Sequence, residues 1–393
     1  MTQPPITTLG VVACAGEFPR MVIEGARRAG VQRIVGVGMR GAVNRKEIEP
    51  LCDVYGEFRV GALDAPVAFG KANGITHLIL AGQIKPAAIY TLWPDTTVRR
   101  LMGELDRRNA HTIFGKLCDY LATQGITVLP STTYMQHCMS GEAHLAGPAP
   151  TAVQQADADF GMRMAQQIAR LDIGQSIIVQ GHKVVCVEAY KGTNECIESG
   201  GYRHAPVTLC KVTKPGHDMR FDVPCIGTST IRHCIRAGVN HLAFEADRTI
   251  IFQRAEVERL CNKYGITLQA LTLPPAENEE SPAAVQDDVQ HAAAMAAEVE
   301  KLGIGHSAVV CDGVVIAVDD ADGVLKCIRR AGRYMRRLRL LRFLNWLGGL
   351  LLGRQSAPPA PVVLVTTPKH PLSIPERRAA QKAGITVADP SET

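Results

Sequence analysis

Three signatures that would assign this 393-residue chain to a class at once are absent from it. No CxxC pair occurs among its 12 cysteines, so no paired-thiol or zinc-ribbon site is indicated. No apolar run approaches about 18 residues, so no membrane-spanning helix is expected. The first residues have neither a basic nor an apolar signal-peptide region, so no secretory signal is predicted. We therefore expect reduced, structural cysteines in a cytoplasmic protein.

Common catalytic motifs are missing as well. There is no Walker A loop and no nucleophile elbow, so neither P-loop chemistry nor serine hydrolysis is supported. The histidines lack the spacing of zinc ligands. What is present is ordinary globular composition, with 46% hydrophobic and 21% charged residues. The net charge of +5 permits an anionic ligand but gives no indication of nucleic-acid binding.

Short apolar runs alternate with helical patterns over the first third of the chain. The strand signals are Leu9–Cys14, Arg33–Met39, His77–Ala81 and Ile126–Leu129. Helical patterns cover Phe18–Gly30, Arg99–Arg107 and Thr112–Gln124, and another ends at Gly74. Repeated βα units predict a mostly parallel sheet with helices on both faces. We therefore predict an α/β protein in which residues 1–136 form a Rossmann-like domain that binds ligands at the carboxyl ends of its strands.

A linker over residues 137–153, with glycine and proline in close succession, precedes a second α/β domain over residues 154–273. An acidic, proline-bearing linker follows at residues 274–284. We predict that the remaining residues, 285–393, form a degenerate repeat of the second domain.

The repeat is visible as similar residues separated by a fixed difference in residue number within each segment. An offset of 131 aligns the tail with the second domain without a gap, from Leu302 on Leu171 to Cys327 on Cys196. The offset rises to 155 at Val362, which matches Val207, so the tail carries an insertion of about 24 residues. Near the end the offset falls to 146, so the tail lacks the stretch that holds Asp222 in the first copy. Chance similarity between two αβ segments is the alternative interpretation.

The densest polar cluster lies between a strand signal and a helix start, over residues 211–224. Its cations, Lys211, Lys214 and Arg220, suit a diphosphate, which needs donors and positive potential. Its carboxylates, Asp218 and Asp222, could hold Mg²⁺ or orient a water molecule. The alternative is a solvated loop whose charges pair with one another.

Three other polar turns follow strand signals. Residues 11–19 place a small-residue turn with Gly16 between a strand and a helix, where backbone amides could hold a phosphate. Residues 81–86 offer Gly82, the Gln83 amide and the Lys85 ammonium. A further polar wall is predicted at Glu188 and residues 191–194. Ordinary tight turns are the alternative for each of the first two.

The tail insertion, residues 329–354, begins with seven arginines and no acid and continues into an apolar segment with one tryptophan. This composition favours a helix lying in an anionic membrane interface. A buried helix or an oligomer contact would explain it as well.

Several strings resemble the LpxI family and occur in its order over about residues 9–271. They are residues 10–13 with Gly16 and Pro19, 81–86, 129–133, 170–176, 187–189 with 192–193, and 214–215 with 218–224. The strings Leu-Asp-Ile-Gly-Gln at 171–175 and Asp-Met-Arg-Phe-Asp-Val-Pro at 218–224 are the most specific.

The resemblance implies an activity of lipid A biosynthesis. Family members hydrolyse UDP-2,3-diacylglucosamine to UMP and 2,3-diacylglucosamine 1-phosphate, with a divalent metal and water attack on the α-phosphorus. The family's catalytic aspartate falls on Asp222. The metal would be Mg²⁺ or Mn²⁺, held by Asp222 and Asp218.

The resemblance and the polar turns together give a set of expected substrate-binding residues: Gly16, Gly82, Gln83, Lys85, Thr132, Glu188, Thr193, Lys211, Lys214 and Arg220. We expect a cytoplasmic protein on the inner-membrane surface, with a homodimer as one option and no nucleic-acid partner. The chain departs from the family at residues 14–16, where it is less glycine-rich, and at residues 191–194, which lack the family's two acids. We also expect the second copy to be catalytically silent.

Two rival functions remain open at this stage. An NAD-dependent oxidoreductase would need a GxGxxG first turn, but Cys14 stands at its first glycine. A non-catalytic, membrane-associated scaffold for a nucleotide sugar or lipid would not need Asp222, Lys214 and Arg220 together.

Overall fold

The computed structural model describes residues 6–84, 94–105, 110–202, 206–214, 218–274, 287–311, 313–333 and 361–388. Contacts divide the chain into two compact units. The first comprises Met1–His137 together with His217–Val223, and the second comprises Cys138–Gly216 together with Pro224–Thr393. Asp218 and Asp222 therefore pack with the N-terminal unit, although they lie far from it in sequence.

The first unit contains a five-stranded parallel sheet, in the order β3-β2-β1-β4-β5. Its strands are β1 (Thr8–Ala13), β2 (Arg33–Arg40), β3 (Val54–Arg59), β4 (His77–Ala81) and β5 (Thr127–Val128). Its helices are α1 (Phe18–Arg28), α2 (Arg45–Ile48), α3 (Asp64–Ala72), α4 (Thr96–Gly103) and α5 (Ala110–Thr123). The α/β fold with an N-terminal parallel sheet, predicted from alternating strand and helix signals, is confirmed.

The parallel arrangement explains the near-continuous apolar runs of the strands. Val11 and Val35 are completely buried in the middle of neighbouring strands, because helices cover both faces of the sheet. The strand order reverses between β1 and β4, so the carboxyl ends of these two strands form the crevice in which doubly wound sheets bind ligands.

The second unit begins with a six-stranded mixed sheet, in the order β6-β13-β11-β9-β7-β8. The strands are β6 (Ala143–Ala146), β7 (Ser176–Gln180), β8 (Lys183–Val187), β9 (Thr208–Lys211), β11 (His241–Glu245) and β13 (Thr267–Leu271). A separate parallel pair consists of β10 (Cys225–Ile226) and β12 (Ile250–Ile251). The helices are α6 (Ala152–Arg170), α7 (Thr193–Gly200), α8 (Thr228–Ala237) and α9 (Arg254–Tyr264).

The tail adds a four-stranded sheet, in the order β15-β14-β16-β17. Its elements are α10 (Asp288–Lys301), β14 (Ser307–Cys311), β15 (Val314–Val318), a helical segment α11 over residues 324–333, β16 (Val363–Thr366), α12 (Ile374–Ala383) and β17 (Thr386–Val387). Most of the basic insertion, from residue 334 onward, lies outside the described residues. Within the described ranges, no helix combines the length and hydropathy that crossing a bilayer requires.

Candidate functional site

The carboxyl ends of β1 and β4 are joined by a short backbone bridge. The amide of Ala15 donates to the carbonyl of Gln83 at 3.1 Å, and the amide of Gln83 donates to the carbonyl of Ala15 at 2.9 Å. Gly16 and Gly82 flank this bridge, each with a φ of +93°. A Cβ on Gly82 would lie 2.6 Å from the Ala15 carbonyl oxygen, so only glycine fits this close approach. The bridge therefore brings together three predicted ligand residues, Gly16, Gly82 and Gln83.

Cys14 precedes this turn, and burial limits the reactivity of its thiol. Burial raises the pKa of the Cys14 thiol to about 12, so it stays protonated and is not a nucleophile. Thr132 is half-buried, and its carbonyl accepts the amide of Met135 at 2.9 Å. Lys85, one of the four cations predicted for ligand contact, lies outside the described residues.

Ser131, which our sequence prediction passed over in favour of its neighbour Thr132, fixes the Asp222 segment to the first unit. Its side chain is 1% exposed, and its hydroxyl oxygen lies 2.8 Å from the Leu80 carbonyl and 2.7 Å from the Arg220 carbonyl. Its amide donates to the carbonyl of Met219 at 2.7 Å. Because Leu80 belongs to β4 and Ser131 follows β5, residues 219–220 are attached at the same carboxyl edge of the sheet as the glycine turn.

An aromatic contact supports the same attachment. The rings of Phe114, on α5, and Phe221 are stacked with centroids 5.6 Å apart. Phe221 also packs against the hydrophobic core of the N-terminal unit. The segment with Asp222 is therefore held from two sides, by hydrogen bonds at Ser131 and by apolar packing at Phe221.

Asp218 and Arg220 form a tight ion pair within this segment. The guanidinium donates to both carboxylate oxygens, with Nε at 2.8 and 3.0 Å and Nη2 at 2.6 Å. The hydrogen bond to Asp218 raises the pKa of Arg220 above its usual value. Both Asp218 oxygens are thus engaged with Arg220, which makes Asp218 poorly suited to hold a metal unless Arg220 moves.

Asp222 differs from Asp218 in exposure. Its side chain is exposed, while its amide donates to the carbonyl of Asp218 at 3.2 Å and closes the turn. Among the described residues, no three His, Cys, Asp or Glu side chains converge to form a metal site. This donor set still fits Mg²⁺ in its common mode, in which one carboxylate, water and substrate phosphates share the coordination.

In the second unit, four polar side chains converge at the ends of three strands and the start of α7. The Lys211 ammonium is 6% exposed and donates to Thr193 Oγ1 at 2.9 Å and to Ser176 Oγ at 3.3 Å. Thr193 Oγ1 donates in turn to Glu188 Oε2 at 3.1 Å. The structure therefore unites three predicted residues, Lys211, Thr193 and Glu188, and adds Ser176, which the sequence had not singled out.

The glycines of this region allow that convergence. A Cβ on Gly174 would collide with the Glu188 carbonyl oxygen, so the glycine lets the two chain segments touch. Gly192 precedes α7 with a φ of +81°, which starts the helix at Thr193. Both glycines belong to strings on which the family resemblance rests, and close backbone approach explains them physically.

Lys214 follows the same strand end. Its ammonium lies 2.7 Å from Asp172 Oδ1, an exposed carboxylate held in the left-handed region at φ +58°. Because the Asp172 side chain is 67% exposed, the pair is screened by solvent, and Lys214 can exchange it for another anion at small cost.

Comparison with known proteins bears directly on these clusters. The model for the LpxI N-terminal domain matches residues 8–138, and the model for the LpxI C-terminal domain matches residues 141–269 and 276–344. The chain belongs to the LpxI family. One curated relative, named UDP-2,3-diacylglucosamine pyrophosphatase LpxI, from Caulobacter vibrioides, is 26% identical over 277 residues, which is 66% of this chain and 95% of the relative.

The tail offers an internal comparison for the Lys211 cluster. By the offsets of 131 and 155, Ser307 matches Ser176, Asp319 matches Glu188, Val324 matches Thr193 and Thr366 matches Lys211. The tail therefore has threonine in place of Lys211 and valine in place of Thr193. Asp319 Oδ1 instead accepts the amides of His306 and Ser307, at 2.7 and 2.6 Å.

Proposed function

We propose that this protein hydrolyses the diphosphate of UDP-2,3-diacylglucosamine, as the name of its Caulobacter relative states for that protein. Water attacks the α-phosphorus, the bond from that phosphorus to the bridging oxygen breaks, and a proton of the water is released. The products are UMP and 2,3-diacylglucosamine 1-phosphate. The observation that carries the proposal is the exposed Asp222 carboxylate, anchored through Ser131 at the ligand-binding edge of a parallel sheet.

Asp222 has two chemical roles open to it. As a metal ligand it would share Mg²⁺ or Mn²⁺ with the substrate's phosphate oxygens, and the metal would supply positive charge to the reacting phosphate. As a base it would accept a proton from the attacking water. Either role needs a solvent-exposed carboxylate. Asp222 is exposed, whereas Asp218 is 18% exposed and has both oxygens hydrogen-bonded to Arg220.

The cations have a common purpose in this proposal. Arg220 presents a planar guanidinium whose orientation is fixed by Asp218, and such a group stabilises phosphate charge through directed hydrogen bonds. Lys211 brings a buried ammonium whose direct contacts are hydroxyl oxygens. Lys214 is partly exposed, and it can leave the exposed Asp172 carboxylate for a phosphate. The backbone around Gly16 and Gly82 would take the nucleotide.

The test is UMP release from the diacylated UDP-sugar with Mg²⁺ or Mn²⁺, compared with EDTA. We expect release by the native protein and none by Asp222→Asn, which keeps the size of the side chain. Asp64→Asn, at an exposed position early in α3 of the same unit, is the matched control and should retain activity. UMP release by Asp222→Asn at the native rate would exclude the assigned role, and a chain that binds the substrate without turnover would favour the scaffold alternative.

We further propose peripheral contact with the cytoplasmic face of the inner membrane through the part of residues 329–354 that follows Arg333, because the acyl chains of the substrate reside in a bilayer. Arg330 and Arg333 themselves are engaged by Asp320 and Glu195. The arginines before the apolar segment would contact anionic lipid headgroups. Flotation with anionic vesicles should fall when Arg336, Arg337, Arg339 and Arg342 are replaced by glutamine. Equal flotation of both proteins would assign membrane contact to another surface.

A further inference from the structure

The tail repeats the second domain in structure as well as in numbering. In the second domain, β7 pairs antiparallel with both β8 and β9, and β9 pairs parallel with β11. In the tail, β14 pairs antiparallel with both β15 and β16, and β16 pairs parallel with β17. The helices α6, α7 and α8 correspond in order to α10, α11 and α12. We call residues 152–271 the first copy and residues 288–388 the second copy.

Matching side chains perform the same structural task in both copies. Asp157 accepts the amide of His182 at 2.7 Å, and Asp288, 131 residues later, accepts the amide of Gly313 at 2.7 Å. Both anchor the hairpin that follows them, and His182 and Gly313 both have positive φ. Equivalent contacts also occur at the far end of the copies, where a Cβ on Gly201 would meet Ala237 and one on Gly332 would meet Ala383.

The two copies share one hydrophobic core. That core includes Met162 and Ala165 of α6 together with Met295 and Ala296 of α10. It also includes strand residues from both sheets, among them Val187 and Val318. Neither copy therefore has a complete core of its own on this side.

The strands at the open edges of the two sheets meet at a small cavity. Its lining includes Cys186 and Val187 of β8 and their exact counterparts by the offset of 131, Ala317 and Val318 of β15. Equivalent residues line the same cavity when two copies face each other about an approximate twofold axis. Such an arrangement is the isologous contact of a symmetric dimer.

A second cleft shows the same symmetry. It is lined by Glu198 with its counterpart Arg329, and by Ser199 with its counterpart Arg330. Tyr202 and its counterpart Arg333 line it as well. Helices α7 and α11 thus face each other with matched residues on the two sides.

The charges across this contact are opposite in the two copies. Glu195 and Glu198 of the first copy correspond to Lys326 and Arg329 of the second. Arg333 Nη2 lies 2.9 Å from Glu195 Oε1. Two first copies brought together about the same axis would have Tyr202 in place of Arg333, which removes the ion pair with Glu195. They would also have Glu198 in place of Arg329, so that two glutamates would line one cleft, which disfavours that pairing.

A buried ion pair secures the second copy's side of the contact. Arg330 Nη1 lies 2.6 Å from Asp320 Oδ2, and the same nitrogen donates to the Cys186 Sγ of the first copy at 3.7 Å. The corresponding positions in the first copy are Ser199 and Ala189, which carry no charge. The contact is therefore symmetric in backbone arrangement but specialised in its side chains.

We propose that the second copy is a built-in partner subunit, which covers the edge strand and helix of the first copy in the way that a second chain would in a dimer. The full chain is then a monomer with respect to this face, and the two copies bind each other without needing the chain that connects them. The homodimer that the sequence left open would have to use another surface.

The test places a specific protease site within residues 275–286 of the full-length protein and cuts it after folding. Light scattering coupled to size exclusion measures the mass of the uncut protein. After cutting, the two pieces should elute together at that same mass in micromolar protein. Pieces that separate at that concentration would overturn the proposal.

Charge-reversal variants test whether the opposite charges across the contact hold the two pieces together. In the cut protein, Lys326→Glu, Arg329→Glu and Arg333→Glu together should weaken association by at least about tenfold, measured by dilution. Adding Glu195→Lys and Glu198→Lys should restore at least part of it. Reversal of exposed Arg377 and Arg378 on α12 is the control, with no expected change. The charge assignment on which the proposal rests would be contradicted if the variant with three substitutions associates as tightly as the native protein. It would also be contradicted if the variant with all five substitutions recovers no affinity.

Discussion

Replacing Lys211 by methionine should separate stability from activity. Lys211 lies in the second unit and is 6% exposed, and its ammonium donates to the hydroxyls of Thr193 and Ser176. Methionine has a similar length and no charge, so it fills the same space. The second copy already carries uncharged Thr366 at this position and forms the equivalent strand pairing between β14 and β16. The fold of the strand therefore does not require the charge.

Lys211→Met should change the free energy of unfolding little and kcat/KM strongly. Losing two hydrogen bonds from a charged donor costs about 1.5–3 kcal/mol each, but removing a buried ammonium relieves a burial cost of several kcal/mol. We expect these to offset, leaving the free energy of unfolding within about 1 kcal/mol of native. A lost charge-assisted hydrogen bond to substrate phosphate costs about 2–3 kcal/mol, or roughly 30- to 160-fold in kcat/KM at 1.36 kcal/mol per tenfold.

The assay pairs UMP release with urea unfolding on the same preparation. Lys183→Met, at an exposed position on β8, is the matched control and should change neither quantity. Native turnover by Lys211→Met would refute the role of this ammonium in phosphate binding. A loss of several kcal/mol in stability would also refute the reasoning, because it would make Lys211 a structural residue.

Three further predictions concern the first unit and the buried histidine of the second. Ser131→Ala should lower kcat about tenfold with little change in KM, because about 1–1.5 kcal/mol of tethering is lost from the Asp222 segment; an equal change in both constants would point to substrate contact instead. Gly82→Ala should lower the melting temperature more than Gly16→Ala. Both glycines have a φ of +93°, but only at position 82 would the added Cβ clash with a backbone oxygen, so equal melting temperatures would contradict this reasoning. Burial lowers the pKa of His241 to about 4 in the folded protein, whereas the unfolded chain has a histidine pKa of about 6.5. The unfolded state therefore binds a proton first as the pH falls. The free energy of unfolding should decrease by about 2 kcal/mol between pH 7 and pH 5. Urea unfolding of native protein and His241→Gln at both pH values checks this, and the variant should lose less.

The parallel sheet was predictable because its strands are buried on both faces and read as apolar runs. His77–Ala81 was predicted with its observed bounds, and the other strand signals of this domain were placed within a few residues. The edge strand β3 was missed, since Val54–Arg59 alternates half-buried residues around Gly56 and Glu57 and has no apolar run. Edge strands bury less surface, so their sequences are less constrained.

The position of Asp222 within the structure could not be read from local sequence. Residues 218–223 lie between β9 and β10 in the chain, both of which belong to the second unit, yet they pack with the first. The attachment depends on Ser131 and Phe114, about 90 and 110 residues earlier, and no periodicity links such positions. A short polar loop can be recognised from its composition, but the residues against which it packs are determined by the tertiary structure.

The two copies separate the residues that the fold needs from those that the reaction needs. Both retain the aspartate that anchors the hairpin, at 157 and 288, and both retain the positive-φ glycine before the second helix, at 192 and 323. Only the first copy retains Lys211, whose ammonium is costly to bury without partners, and Thr193, which accepts a hydrogen bond from it. The second copy forms the equivalent strand pairing without either residue. A side chain that is expensive to bury and dispensable for folding persists where it has a ligand to bind. By the same reasoning, restoring lysine at Thr366 and threonine at Val324 should destabilise the second copy and give it no activity, because the segment with Asp222 has no counterpart there.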